Sequence, residues 1–575
     1  MMPAPAARRI ESGLGPWFLV ICIAAVLPAG ATPTAALAKD ASPGAISAER
    51  MSRITRTLAS DEFEGRAPGT PGEAKTIEFL VAQFKALGLQ PAGENGGYTQ
   101  SVPLVRTQVP ADAAMNVAIG GETLPLVQDK DVAALTLRPV DRVRIENAPL
   151  VFVGYGVSAP ERHWDDYKGA DLRGKVAVFL INDPDFEALP TEPVHDRFDG
   201  KAATYYARWT YKYEEAARRG AIGALIVHEA PGAGYGWNTA IAPRGEGYDI
   251  VRADPAREKL LLQAWLNRDT AVNLFRRAGL DFETLKAQAR DAGFRPIALT
   301  GASFSADYPL QHARVASRNV LAVLPGRKHP AESVMVAAHW DAYGIGEPDA
   351  SGDRIRRGAA DDALGIAGVL EVARAFTQGT RPSRSIVFAA WTAEERGLLG
   401  SEYYSEHPLR PLATTVANLT FDVLQTAGPA RDVVLVGAGQ SQLDDYLAKA
   451  AAKQGRTITP DARPERGLAF RADHFSLAKR GVPALLLMGI GGGADLVDGG
   501  RTAGDRWVSE FTRNCYHQAC DRWSSDWDLR GATQDVALIY DVAHELADTR
   551  AWPQWNAGTQ FRAVREQSRA AQPTR

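Results

Sequence analysis

The run Val334-Met335-Val336-Ala337-Ala338-His339-Trp340-Asp341 decides the fold. Its apolar part is a strand-length block, and it delivers a histidine and a carboxylate at its end. Ile386-Val387-Phe388-Ala389-Ala390 repeats the arrangement and delivers Trp391-Thr392-Ala393-Glu394-Glu395. Val416-Ala417-Asn418-Leu419-Thr420-Phe421 repeats it again and ends in Asp422. Between the first two, Gly358-Ala359-Ala360-Asp361-Asp362 opens a helix whose apolar positions are Leu364, Ala367, Leu370 and Phe376. Strands and helices alternate in this way after Ser317. The pattern predicts an α/β fold, with a mostly parallel mixed sheet and helices on both faces. Open α/β sheets bind ligands outside the carboxyl ends of their strands, so histidine and acidic groups would converge on one edge.

Each group alone has a bland reading. A lone histidine after a strand is commonly structural, adjacent glutamates commonly form a solvated helix face, and an aspartate at a helix start is commonly a cap. Together, in order, they follow one rule. Carboxylates directly after apolar strands also need a partner, because burying them unpaired is costly. A divalent cation is such a partner. Histidine with carboxylate suits zinc, and manganese or cobalt fit the same ligands. A central carboxylate can bridge two ions, which would polarise a carbonyl and lower the pKa of a bridging water. A further carboxylate outside the ligand set must take the proton of that water and pass it to a leaving amine. Glu394 and Glu395 could divide the roles of base and ligand.

A further ligand must come from downstream. His544 sits in an apolar helical context from Tyr540 to Leu546, which packing explains, whereas His474 and His517 both remain candidates. Cys515 and Cys520 flank His517, and in an oxidising compartment they could close a small ring that fixes the loop. A metal-bound cysteine pair is the rival reading, and export favours the ring.

Export is itself predicted. Arg8 and Arg9 precede an apolar stretch from about Trp17 to Ala31, and small residues ending in Ala36-Leu37-Ala38 follow. This pattern reads as a cleaved signal peptide over residues 1–38, with Pro28 and Gly30 keeping the run below the roughly 20 residues of a membrane span. The mature protein is expected to be soluble and to reside in the periplasm or outside the cell. A chain of 575 residues, 45% hydrophobic and 23% charged, is long enough for more than one domain. The net charge of -3 and the lack of a long basic run give no support for nucleic-acid binding. Three cysteines exclude a disulfide scaffold or a cysteine-built zinc module.

Residues 50–90 read as two helical pieces around the turn Arg66 to Gly72, with Gly88 ending the second. From about residue 148 to 300 the texture becomes that of a compact β-rich block. Within it, Phe186 to Trp209 is rich in charges and aromatics and reads as a loop or lid. After Ala551 a tail holds Trp552 and Trp555, then turns polar towards a loose end.

These residues together resemble the co-catalytic di-zinc metallopeptidase family that includes secreted bacterial leucine aminopeptidases, glutamate carboxypeptidase and the transferrin receptor. The stretches that carry the resemblance are Ser317 to Val320, His339 to Asp341, Gly358 to Gly365, Trp391 to Ser401, Asn418 to Asp422, Phe470 to Phe475 and Cys515 to Asp521. Asp61 to Gly72 and Gly93 to Leu104 resemble the opening of the larger members. The resemblance implies two zinc ions bridged by Asp361. His339 and Asp422 would complete one site, and Glu395 and His517 the other. It selects His517 over His474, makes Glu394 the general base and has Asp341 orient His339. Tyr516 would hydrogen-bond the developing oxyanion. Arg471 resembles an arginine that contacts substrate in some members. Residues 39–145 and 301–550 would form the peptidase domain, 551–575 the tail, and 146–300 an inserted protease-associated domain over the site.

The resemblance implies an exported exopeptidase acting on peptides, most simply an aminopeptidase. A carboxypeptidase or dipeptidase differs only in pocket shape. A glutaminyl cyclase is a one-metal relative, and the complete ligand set argues for two metals. A non-catalytic binding protein on the same fold would have lost ligands that are all present here. Neither oligomeric state nor side-chain preference is written in the sequence.

Overall fold

The computed structural model describes residues 45–570. The predicted export segment, with Cys22, lies outside the described residues. The described residues form one compact unit.

Its central sheet orders Glu246–Ile250, Thr99–Gln108, Gln311–Leu324, Arg384–Trp391, His329–His339, Thr415–Asp422 and Ala484–Met488 side by side, with Gln90–Pro91 paired to Gln311–Leu324. The last four strands of that order are parallel, and the ladders on the other side are antiparallel. The sheet is therefore mixed, and its parallel half contains the three strands read from the sequence. Side chains alternate between its faces. Val334, Val336 and Ala338 pack with Leu370 and Phe376 of helix Leu364–Gln378 and with Val536 and Ile539 of helix Arg530–Asp548. Met335 and Ala337 point the other way, to Tyr404 and Leu477 of the helices Leu399–Glu406 and His474–Ala478. With helices on both faces the strands have no wet side, which is why they read as unbroken apolar runs.

Register brings the strand ends together. His339 lies opposite Trp391, and Ala337 lies opposite Thr420, so Asp422 reaches the same edge as His339. Helix Leu364–Gln378 is buried on all sides from Leu364 to Phe376. Its Glu371 survives burial because Arg50 Nε donates to Oε1 at 2.9 Å and the Ser47 N–H to Oε2 at 2.8 Å, both from the N-terminal helix region. The second N-terminal helix, Pro71–Ala86, opens at the Thr70 cap and stops at Gly88, whose φ of 70° suits glycine.

A second sheet lies between these elements in sequence. Its order is Glu122–Pro125, Ala114–Ile119, Ile297–Pro309, Arg142–Phe152, Val176–Leu180, Gly223–His228, Leu262–Asn267 and Val132–Leu135. Separate apolar clusters cover its faces, one including Phe152, Phe275 and Phe304 and the other Phe179, Tyr167 and Trp265. Strand Glu246–Ile250 leaves this block to pair with Thr99–Gln108 of the central sheet. The segment from Phe186 to Trp209 is irregular but anchored. The Asp183 carboxylate accepts the Thr204 N–H at 2.8 Å, and Asp185 accepts those of Phe198 at 2.6 Å and Gly200 at 3.0 Å. Val194, Phe198 and Tyr206 are buried, so the segment read as a loop or lid contributes side chains to the core. The chain after Ala551 is packed as far as Arg565. Trp555 and Phe561 are buried, and Arg565 of helix Arg562–Ala570 donates to the Thr415 carbonyl at 2.8 Å. No described helix is long and apolar enough to cross a membrane.

One buried amide joins the sheet to the acidic turn after Trp391. Asn319 Oδ1 accepts the Thr392 N–H at 3.1 Å, and its Nδ2 donates to the Gly400 carbonyl at 2.9 Å and to Gln100 Oε1 at 3.1 Å. Asn319→Ala strips the buried Thr392 N–H and the Gln100 oxygen of these partners. The expected loss is about 2–6 kcal/mol, at ~1–3 kcal/mol per orphaned group, read from the urea midpoint. A shift below about 0.5 kcal/mol would show that the turn is held by other contacts.

Candidate metal centre

His339 ends its strand with both ring nitrogens occupied. Nδ1 faces the Asp341 backbone oxygen at 3.1 Å and the Asp341 carboxylate at 3.7 Å, while Nε2 lies 3.1 Å from Asp361 Oδ1. The Asp341 carboxylate mainly serves the neighbouring turn, accepting the Glu394 N–H at 3.0 Å and the Glu395 N–H at 3.4 Å. It thus places both glutamates relative to His339.

Asp361 stands at the centre. Its Oδ1 faces His339, and its Oδ2 lies 3.4 Å from His517 Nε2, which is also 3.2 Å from Glu395 Oε2. Two groups of donor atoms result, His339 with Asp361 and Asp422, and Asp361 with Glu395 and His517. Within each group the donor atoms all lie within 4.8 Å of one another. Glu394 belongs to neither, and its Oε2 is 4.0 Å from His339 Nε2. Local backbone explains the position of Asp361. Gly358 has φ 56°, and a Cβ there would meet the Asp361 carbonyl at 2.2 Å and Ala342 Cβ at 2.6 Å. Asp521 holds the same stretch, accepting the Ala360 N–H at 2.9 Å and the Asp361 N–H at 3.1 Å. Asp362 turns away as a cap, with Oδ1 accepting the Gly365 N–H at 2.9 Å.

His517 sits between two tyrosines, with ring centroids 4.6 Å from Tyr343 and 3.7 Å from Tyr516. Cys515 and Cys520 flank it with their sulfur atoms at bonding distance. Arg471 is half-buried. Burial works against its charge, yet Tyr516, Tyr235 and Glu394 hold its pKa above the ordinary arginine value. The other histidines lie outside both groups. His474 points Nε2 to the Ala469 carbonyl at 3.0 Å, and burial pushes its pKa down to about 4. His544 stacks on Phe376, as packing predicted.

The donor set fits divalent metal. Burial first, then neighbouring carboxylates, push the pKa values of Glu394, Glu395 and Asp422 well above the ordinary range. Burial would do the same to Asp361, but hydrogen bonds from His339 and His517 hold it below. A cluster short of positive charge and made of nitrogen and oxygen donors is what zinc, manganese or cobalt accept.

Three residues near the centre had no role in the sequence reading. Asp521 follows Cys520, and nothing local announces its bonds to residues 360 and 361. Tyr343 follows the His339 motif without a distinguishing context. Asp473 is buried with Oδ1 unpartnered, and burial lifts its pKa to about 7.

The chain is similar to known proteins. An aminopeptidase NAALADL1 of Mus musculus is 36% identical over 113 residues, 19% of this chain and 14% of its own length. Leupeptin-inactivating enzyme 1 of Streptomyces exfoliatus is 28% identical over 230 residues, 39% of this chain and 47% of its own. The chain therefore spans less than half the length of either relative. The solved aminopeptidase from Aneurinibacillus sp. strain AM-1 is 19% identical, with 87% of this chain and 94% of that one covered at a TM-score of 0.47. The profile of peptidase family M28 matches residues 319–540, a span that includes every member of both donor groups. That span is an M28 peptidase domain.

Proposed function

We propose that the chain is an exported zinc-dependent exopeptidase, an aminopeptidase that removes N-terminal residues from peptides. One observation carries the reading: two donor groups share Asp361, while Glu394 lies beside them and belongs to neither. The family of the domain and the names of its relatives, an aminopeptidase and an enzyme that inactivates leupeptin, support it.

His339, Asp361 and Asp422 would hold one ion, and Asp361, Glu395 and His517 the other. Zinc there would supply Lewis acidity to the peptide carbonyl and to water. Glu394 takes a proton from the water whose oxygen bonds to the carbonyl carbon, and gives it to the amide nitrogen as the C–N bond breaks. The Tyr516 hydroxyl donates to the developing oxyanion. Asp341 keeps the two glutamates in place through their backbone N–H groups, and Arg471 contacts the substrate. The acidic surroundings would receive a free substrate amine. Residues 146–300 act as a protease-associated insert, and a Cys515–Cys520 disulfide braces the His517 loop.

Glu394→Gln should keep about two zinc ions per chain by elemental analysis while kcat falls ~10²–10⁴-fold, the usual contribution of a general base. A variant with full turnover would remove Glu394 from that role. Digestion of a peptide library should trim amino ends, and chelation should abolish it. Carboxyl-end trimming would replace the aminopeptidase by the carboxypeptidase reading, and chelator-resistant trimming would end the metalloenzyme account.

A further inference from the structure

The tract from Asp61 to Gly72 offers no member of either donor group, yet one of its side chains reaches the backbone of both. Arg66 is fully buried. Its Nε donates to the Trp340 carbonyl at 2.7 Å, its Nη2 to the Gly358 carbonyl at 2.8 Å, and its Nη1 to those of Leu58 at 2.8 Å and Arg357 at 2.6 Å. Trp340 follows His339, and Gly358 stands three residues before Asp361. Leu58 ends the first N-terminal helix, so the fork is rooted outside the site.

A guanidinium is planar and its donor directions are fixed, so two acceptors on one fork have a fixed relation to each other. Here those acceptors are the main-chain oxygens beside the histidine of one donor group and ahead of the aspartate shared by both. The contact is close. A Cβ on Gly358 would stand 3.1 Å from Arg66 Nη2 as well as 2.2 Å from the Asp361 carbonyl. From the other side Asp521 grips the N–H groups of residues 359 to 361 with its backbone oxygen and its carboxylate. The stretch from Gly358 to Asp361 is thus held by its carbonyl at one end and by its N–H groups at the other. Only the carbonyl grip reaches across to the His339 segment.

We propose that Arg66 is a positioning residue of the metal centre: its four-way fork sets the spacing of the His339 and Asp361 segments and thereby the affinity of the site for zinc. The proposal rests on the metal reading above. It predicts a geometric role, so a lysine that keeps the charge but loses the planar fork does not substitute.

The test uses the full chain, stripped of metal and titrated with zinc against a chromophoric chelator. In Arg66→Lys the zinc dissociation constant rises about 10–100-fold, the usual effect of losing a partner that orients ligands. At saturating zinc, kcat falls while KM stays within about twofold, which marks an interaction made in the transition state. Arg384→Lys is the control for burial alone. Arg384 is equally buried and donates to the Leu546 and Ala551 carbonyls, and its lysine variant keeps wild-type zinc affinity. An Arg66→Lys protein with wild-type zinc affinity overturns the proposal, as does an equal loss in Arg384→Lys. Hydrogen exchange on the unaltered chain gives an independent reading should Arg66→Lys fail to fold. Zinc binding slows exchange across residues 58–66 together with 357–361, and unchanged exchange at 58–66 overturns the proposal. A wild-type chain that takes up no zinc defeats the metal reading itself, a distinguishable result.

Discussion

Like charges confined to one dry sheet edge are the constraint to which the rest of this structure answers. Asp341, Asp361, Asp362, Glu394 and Asp422 are all buried there. Carboxylates cannot share such a place without hydrogen bonds or cations, because desolvation and mutual repulsion both oppose ionisation. The structure sorts them by what their oxygens meet. Asp341, Asp362 and Asp521 face main-chain N–H groups, of residues 394 and 395, of 339 and 365, and of 360 and 361. Asp361, Glu395 and Asp422 face the histidines and one another. The first set fixes the backbone on which the second set converges, so the carboxylates that anchor backbone and those that form the donor groups are distinct on one edge.

The sequence shows the second set far better than the first. His339, Asp422 and the Glu394–Glu395 pair follow apolar strands, and strand order with parallel register brings their ends to one edge. That rule needs only the strand pattern, and the central sheet obeys it. Asp521 follows no strand, and its partners at residues 360 and 361 are remote in sequence, so no local pattern could reveal it. Arg66 is similar. Its turn was legible from Pro68, Gly69 and Pro71, but a side chain that donates to four carbonyls, three of them in two remote segments, leaves no periodicity behind.

The same distinction holds for the second sheet. Its strands Val176–Leu180 and Gly223–His228 are apolar runs and were readable, whereas Glu122–Pro125 is short and exposed and pairs only with its hairpin neighbour Ala114–Ile119, and Val132–Leu135 is short and pairs at long range with Leu262–Asn267. Phe186 to Trp209 is held from its leading flank, where Asp183 and Asp185 accept the N–H groups of Thr204 and Phe198 in place of a ladder. A polar, aromatic stretch can be anchored as firmly as a strand when its carboxylates point inward.

Adjacent Glu394 and Glu395 show how far chemistry depends on such anchors. The residues are identical, neighbouring and both close to histidine, so composition cannot divide their roles. The division follows from the turn. Ala393 adopts a left-handed φ of 52°, and the Asp341 carboxylate then takes one N–H from each glutamate. With the backbone pinned at both residues, Glu395 reaches His517 at 3.2 Å and joins the donor group around Asp361, while Glu394 stops 4.0 Å short of His339 Nε2 and joins none. A carboxylate that is close to the centre without being drawn into it remains free to exchange a proton with substrate. In the proposed mechanism, the separation of base from ligand therefore resides less in the glutamates than in the aspartate that holds their backbone.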